Sequence, residues 1–224
     1  MVWAHEGRNS ETLAKFFTAL GTDRAASLTH VSADGAEWIH TVVAAQAPTA
    51  VLCLDPFHVI QWAMKALDKV RTRTLATQAG PRDRNLMWAV RKNPANLTTG
   101  QKTTLAELEA VNAKLFRAYL LKEQLREVFR RKGAEGHALL SGWILRARHC
   151  GIVEFEKLCR TIEKYRTLIA HTLDHNVTNA RPEAMNSHIR ALTKRAYGYH
   201  SPEALIGMAM LTRGGLCPPL PGRN

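Results

Sequence analysis

A chain of 224 residues, 46% hydrophobic and 22% charged, is long enough to bury a sizeable core without disulfides or metals. Its 31 Lys and Arg against 19 Asp and Glu leave a formal charge of +12, which favours polyanionic partners, nucleic acid first, over a merely solvated basic surface. The cysteines Cys53, Cys150, Cys159 and Cys217 make no C-x-x-C pair, which argues against a zinc ribbon or finger. No apolar run approaches a membrane span, and the N-terminus has no signal-peptide core. The expectation is a soluble, reduced, cytoplasmic protein with no membrane partner.

In chain order, Val2-Trp3-Ala4 reads as a strand end. Ser10-Glu11-Thr12 then opens a helix whose Leu13, Phe16, Phe17 and Leu20 share one face, and Gly21 closes it. A strand from Leu28 to Ser32 ends at Ala33-Asp34-Gly35. A helix from about 36 to 46 follows, stopped by Pro48. Val51 to Leu54 is a compact buried strand with Cys53 as a core thiol, and a long helix runs from about Pro56 to Leu75. The alternation of strand and helix indicates an α/β layer, and Asp34 and Asp55 both lie just past strand C-termini, where open α/β sheets place their sites.

The middle differs. Gly80-Pro81, Asn93-Pro94 and Thr98-Thr99-Gly100 mark loops. From Thr103 to Arg131 one helix is predicted, with Leu105, Leu108, Leu115 and Tyr119 in rhythm and Asn112 in the missing slot. Gly133 to Gly136 reads as a break, followed by helices over 137–149 and 153–173. Pro182 sits in the first turn of a helix with Met185, Ile189, Leu192 and Ala196 on one face and Glu183, Asn186, Arg190 and Lys194 on the other. Gly198 ends it, Ser201-Pro202-Glu203 starts a last helix, and the Pro/Gly-rich residues 217–224 read as a frayed tail.

Taken singly, each polar candidate has a plain structural role: Asp34 as a turn or helix cap, Asp55 as the cap of the next helix, His58 as a core histidine, Glu183 as a solvated glutamate. Together, two carboxylates at strand ends and a third on a later helix suit a divalent-metal site. Oxygen donors match Mg²⁺ or Mn²⁺, and such a site performs two-metal phosphoryl transfer.

The strings Val31-Ser32-Ala33-Asp34, Asp55-Pro56-Phe57-His58-Val59 and Asn179-Ala180-Arg181-Pro182-Glu183-Ala184-Met185-Asn186, with Lys194-Arg195-Ala196-Tyr197-Gly198-Tyr199 behind them, resemble the DDE transposases of the ISL-three group of bacterial insertion sequences. The opening VWAHEGRNSETLAKFFTALG and Ala118-Tyr119-Leu120-Leu121-Lys122-Glu123 are similar to further family elements, so the resemblance spans nearly the whole chain. It implies a partial ribonuclease-H-like fold, predominantly helical overall: an α/β core over 1–75, a helical insertion over 76–173, catalytic-core helices over 174–214 and a flexible tail over 215–224. It implies that Glu183 is the final catalytic glutamate, that Asp34 is the aspartate ending the fourth strand, and that Asp55 and His58 are a supporting D-x-x-H pair. Asp34 and Glu183 would hold Mg²⁺ or Mn²⁺. The partners implied are element-end and target DNA, with a second copy or an intact transposase, in association with the nucleoid. The family's first catalytic aspartate, on its first strand, has no match here, so the resemblance predicts a truncated and inactive remnant or a start placed inside a longer gene. A variant keeps the chain active with Asp34, Asp55 and Glu183 as the triad.

Arg190, Lys194 and Arg195 are candidate DNA contacts, with a solvated helix face as the alternative. A competing function is a non-catalytic DNA-binding or repressor-like transposase fragment, its contacts supplied by the basic helical block at Arg126, Arg130, Arg131 and Lys132, which would repress an intact copy by binding its ends or partner. A third is a helical scaffold unrelated to nucleic acid.

Overall fold

The computed structural model describes residues 3–75, 84–175, 177 and 180–214, with the side chains of 75, 84 and 180–183 outside that description. Among the described residues the protein is α/β but predominantly helical, with a single sheet of two strands. In chain order the elements are α1 (Ser10–Leu20), α2 (Thr22–Ala26), β1 (His30–Ala33), α3 (Glu37–Gln46), β2 (Val51–Leu54), α4 (Pro56–Leu75), α5 (Arg84–Arg91), a 3₁₀ turn (Pro94–Asn96), α6 (Thr99–Val111), α7 (Ala113–Arg130), α8 (Gly133–Arg148), α9 (Val153–Lys164), α10 (Arg166–His175), α11 (Ala180–Arg195) and α12 (Pro202–Arg213). No helix among the described residues is long and apolar enough to cross a membrane.

The chain divides into two compact units, 1–53 with 177–224, and 54–176. In the first, Asn9 rather than Ser10 caps α1, its side chain accepting from Thr12 N at 2.8 Å. Gly21 closes the helix at φ +84, a conformation that costs glycine little. The α1 face predicted from its spacing is the buried one: Phe17 packs with Ala25, Val43 and Ala47, flanked by Leu13, Phe16 and Leu20. β1 and β2 are hydrogen-bonded neighbours joined by a helical crossover, α3. Near the C-terminus, α11 and α12 pack together through a tight corner with Tyr197 at φ +53 and Gly198 at φ +109. His188 Nε2 lies 2.9 Å from Thr212 Oγ1 across that pair, and Ser201 caps α12 with Pro202 in its first turn.

The second unit is a helical bundle. α4 contributes Val59, Ala63, Leu67 and Val70, at spacings of four and three, and packs on α7 and α9. Trp143 on α8 is fully buried, and its indole N–H donates to the Leu121 carbonyl at 2.8 Å, satisfying the one polar atom such a side chain brings into a core. Phe155, Ile162 and Ile169 complete the same cluster. Thr172 donates to the Leu54 carbonyl at 2.7 Å, tying α10 to the end of β2.

Several predicted elements are corrected. Trp3 and Ala4 are not in a strand: Trp3 stacks on His5 and meets Phe16 edge-on, so it packs on α1 instead of pairing. The helix α2 lies between Gly21 and the first strand, where the sequence suggests no element. The single helix over 103–131 is two, because Asn112 leaves helical geometry (φ −145, ψ 74) and its side chain caps α7 by accepting from Leu115 N. The helix over 153–173 likewise breaks at Tyr165. Gly133 to Gly136 do not interrupt a helix but form the first turn of α8. The tail over 215–224, with Cys217, lies outside the described residues.

Candidate functional site

Asp34 follows β1 directly and is fixed from three sides. Its Oδ1 accepts from Ala36 N at 3.0 Å, closing the turn that leads into α3. Its Oδ2 takes the guanidinium of Arg8 at 2.9 Å, and its carbonyl accepts from His40 Nε2 at 2.9 Å, which sets that ring nitrogen as the protonated one. The carboxylate is 15% exposed while Arg8 is 78% exposed. An acid held this way is oriented by backbone, helix and counter-cation at once, and it remains in reach of solvent. Arg8 and His40 escaped the sequence reading. Arg8 stands 26 residues upstream in an irregular segment, so only folding brings it to Asp34.

Asp55 is buried, and both of its oxygens are engaged in the first turn of α4. Oδ1 accepts from Phe57 N at 3.0 Å and Oδ2 from His58 Nδ1 at 3.2 Å. The structure therefore brings Asp55 and His58 together, as a helix cap and the histidine that hydrogen-bonds its second oxygen. Asp55→Asn keeps an oxygen for the cap and is expected to leave stability nearly unchanged. Asp55→Ala is expected to lose about 1–2 kcal/mol in urea unfolding. Equal losses in the two variants would rule out the capping role.

Asp34 and Glu183 fall in the same compact unit, and Asp55 and His58 in the other. The Glu183 backbone lies in the first turns of α11, and its side chain lies outside the described residues. Arg190, Lys194 and Arg195 are exposed on the same helix. Arg126, Arg130 and Arg131 are drawn into ion pairs: Arg126 with Glu123, Arg130 with Glu127, and Arg131 with Glu127 and Glu135. The hydrogen bond from Arg131 holds the Glu127 carboxyl below the usual carboxylate range.

Carboxylate oxygen is the right donor for Mg²⁺ or Mn²⁺. Yet among the described residues no group of three or more His, Cys, Asp or Glu is placed to hold an ion, and Asp34 there is paired with a guanidinium. Among the described side chains Asp34 supplies one such oxygen donor, and the side chain of Glu183 lies outside them.

Residues 1–209 match the family model of the ISL-three group of DDE transposases, described as "Transposase". The chain belongs to that family. Transposases for the insertion sequence element IS1557 from two strains of Mycobacterium tuberculosis are 42% identical to it over 250 residues, covering 100% of this chain and 56% of theirs. The transposase for insertion sequence element IS1001 of Bordetella parapertussis is 26% identical over 210 residues, covering 91% of this chain and 52% of its own. The chain thus spans about half the length of the curated relatives it matches. No solved structure is significantly similar to it. Asp34, Asp55, His58 and Glu183 all lie within the span that matches the transposase family.

Proposed function

We propose that the chain serves DNA transposition, cutting strands at insertion-sequence ends and joining them to target DNA by metal-assisted phosphoryl transfer, with Asp34 and Glu183 as the acids of a ribonuclease-H-like core. The observation that carries this is the placement of Asp34. It stands at the C-terminal end of β1, oriented by Ala36 and His40 and reachable from solvent, in a chain matching a transposase family over residues 1–209. Mg²⁺ or Mn²⁺ would supply charge neutralisation at the phosphate and activation of the attacking oxygen. Asp55 and His58 fix the first turn of α4 within the second unit. The partners in this reading are element-end and target DNA and a further transposase copy.

A second reading, DNA binding without cleavage, is favoured by one observation: Asp34 already has a cation, Arg8. Nicking of supercoiled plasmid in Mn²⁺ separates the two. The cleavage reading expects nicking by the wild type and a loss of roughly a hundredfold or more in Asp34→Asn and in Glu183→Gln. Plasmid retention with no nicking by any of the three supports the binding reading.

A further inference from the structure

Within the second unit, α4 and α9 leave a groove of about 450 Å³ between them. Four cations line it, Lys65, Lys69 and Arg73 from α4 and Lys157 from α9, against one carboxylate, Glu154. Glu154 is buried and spoken for, paired with Arg73 at 2.8 Å. Asp68, at the adjoining end of the groove, is held by Arg91 at 2.6 Å and Arg71 at 3.4 Å. Lys65, Lys69 and Lys157 are exposed and have no carboxylate within ion-pairing distance among the described residues. This contrasts with the arginines at the end of α7, whose charge Glu123, Glu127 and Glu135 offset. The floor is apolar: Trp62, tilted against Tyr165 with ring centroids 5.6 Å apart, and Ala66. Such a floor supports lysine stems while their ammonium groups reach outward.

Residues 65, 69 and 73 stand on successive turns, so their row rises about 12 Å along α4. That is the axial span of roughly three to four phosphates on one strand of a duplex. Lys157 faces the same groove from α9, so the cations form two walls around a channel rather than a flat patch. Unpaired lysines on both walls over an aromatic floor are the recurring build of a surface that tracks a phosphate backbone.

We infer that the groove between α4 and α9 is a sequence-independent binding site for the phosphate backbone of nucleic acid, held by Lys65, Lys69 and Lys157. The inference rests on the reading of the chain as a DNA-acting protein and assigns that contact to the helical unit. It makes the site a positioning surface that carries no base readout, so its affinity is governed by salt and not by sequence.

The test is fluorescence anisotropy of the full chain with a labelled DNA duplex of mixed sequence and a single strand of the same length, across a salt series. The triple variant Lys65→Gln, Lys69→Gln, Lys157→Gln is compared with Lys15→Gln, Lys102→Gln, Lys114→Gln, which removes the same charge from exposed positions elsewhere. Melting temperatures establish that both are folded. The groove variant is expected to bind about tenfold or more weakly at low salt, and its slope of log affinity against log salt is expected to fall by about 0.7–0.9 per lysine. The control variant should change little. A larger loss with the duplex or with the single strand identifies which form of the backbone the groove takes. Wild-type binding weakened equally by both triples overturns the groove while leaving the DNA reading intact. Wild-type chain that ignores both nucleic acids, or prefers polyglutamate to them, overturns both.

Discussion

Lys122→Ala is expected to destabilise the second unit by about 3–5 kcal/mol. Lys122 on α7 is fully buried, a rare position for an ammonium. It donates to the Val90 carbonyl at 2.6 Å, pairs with Glu123, and lies 4.8 Å from the centre of the Tyr119 ring. Val90 is in the last turn of α5, where carbonyls have no partner within their own helix. Lys122 thus satisfies the end of one helix from the side of another. Burial pushes its pKa below the ordinary lysine range, while Glu123 pulls the other way. Alanine would leave the Val90 carbonyl unsatisfied and open a cavity in the core. Lys122→Met keeps the stem volume but leaves the Val90 carbonyl without its donor and the buried Glu123 Oε1 without its cation, since Arg126 reaches only Oε2, at 3.6 Å. Its expected cost is about 1–3 kcal/mol. Urea unfolding followed by helical circular dichroism checks the order. An alanine variant as stable as the methionine variant would show that the buried stem contributes nothing.

Gly136→Ala is expected to destabilise by about 1–3 kcal/mol, reversing the usual sign for glycine within a helix. A methyl group there would meet the Arg131 carbonyl at 2.5 Å, the Val128 carbonyl at 3.2 Å and Leu173 at 3.1 Å. Two of these neighbours are backbone and cannot swing away. Gly136 is therefore where α8 approaches the end of α7 closely, and the missing side chain allows that approach. Gly142, farther along α8, meets only the far end of the long Arg146 side chain, at 3.3 Å, and no backbone. Gly142→Ala is expected to stabilise by up to about 1 kcal/mol. Opposite signs on thermal melting are the expected result, and a gain in both variants would remove the close approach from the account.

The contrast at Gly136 shows what the sequence reveals and what it hides. Where periodicity and punctuation agree, as in Leu13, Phe16, Phe17 and Leu20 ahead of Gly21, the element and its buried face are both readable. The break at Asn112 was concealed because the apolar rhythm resumes in phase beyond it, and the side chain that ends one helix caps the next. The break at Tyr165 is hidden in the same way, since Ile162 and Ile169 both stay in the core. The eight-residue α5 was lost between two loop signals. Asp34, Asp55 and His58 were legible because each stands beside a strand end or in a first helical turn, a position that chain order alone identifies. Arg8 was not, because it acts on a residue of a different element that only folding brings near, and Lys157 was not, because it joins Lys65 and Lys69 at one groove only once α9 packs on α4. Lys65, Lys69 and Arg73 repeat at helical spacing in plain view, but that spacing says nothing about the second wall of the groove.

The most direct test of the central claim, that Asp34 and Glu183 hold a divalent ion, is thermal unfolding of the full chain with and without Mn²⁺ for the wild type, Asp34→Asn, Glu183→Gln and Arg8→Ala. An ion bound to the native state raises the melting temperature, by several degrees at about a hundredfold excess over its dissociation constant. The account predicts that shift in the wild type, its loss in both acid variants, and a larger shift in Arg8→Ala, where no guanidinium competes for Asp34. The same shift in all four proteins, or none in any, would contradict it.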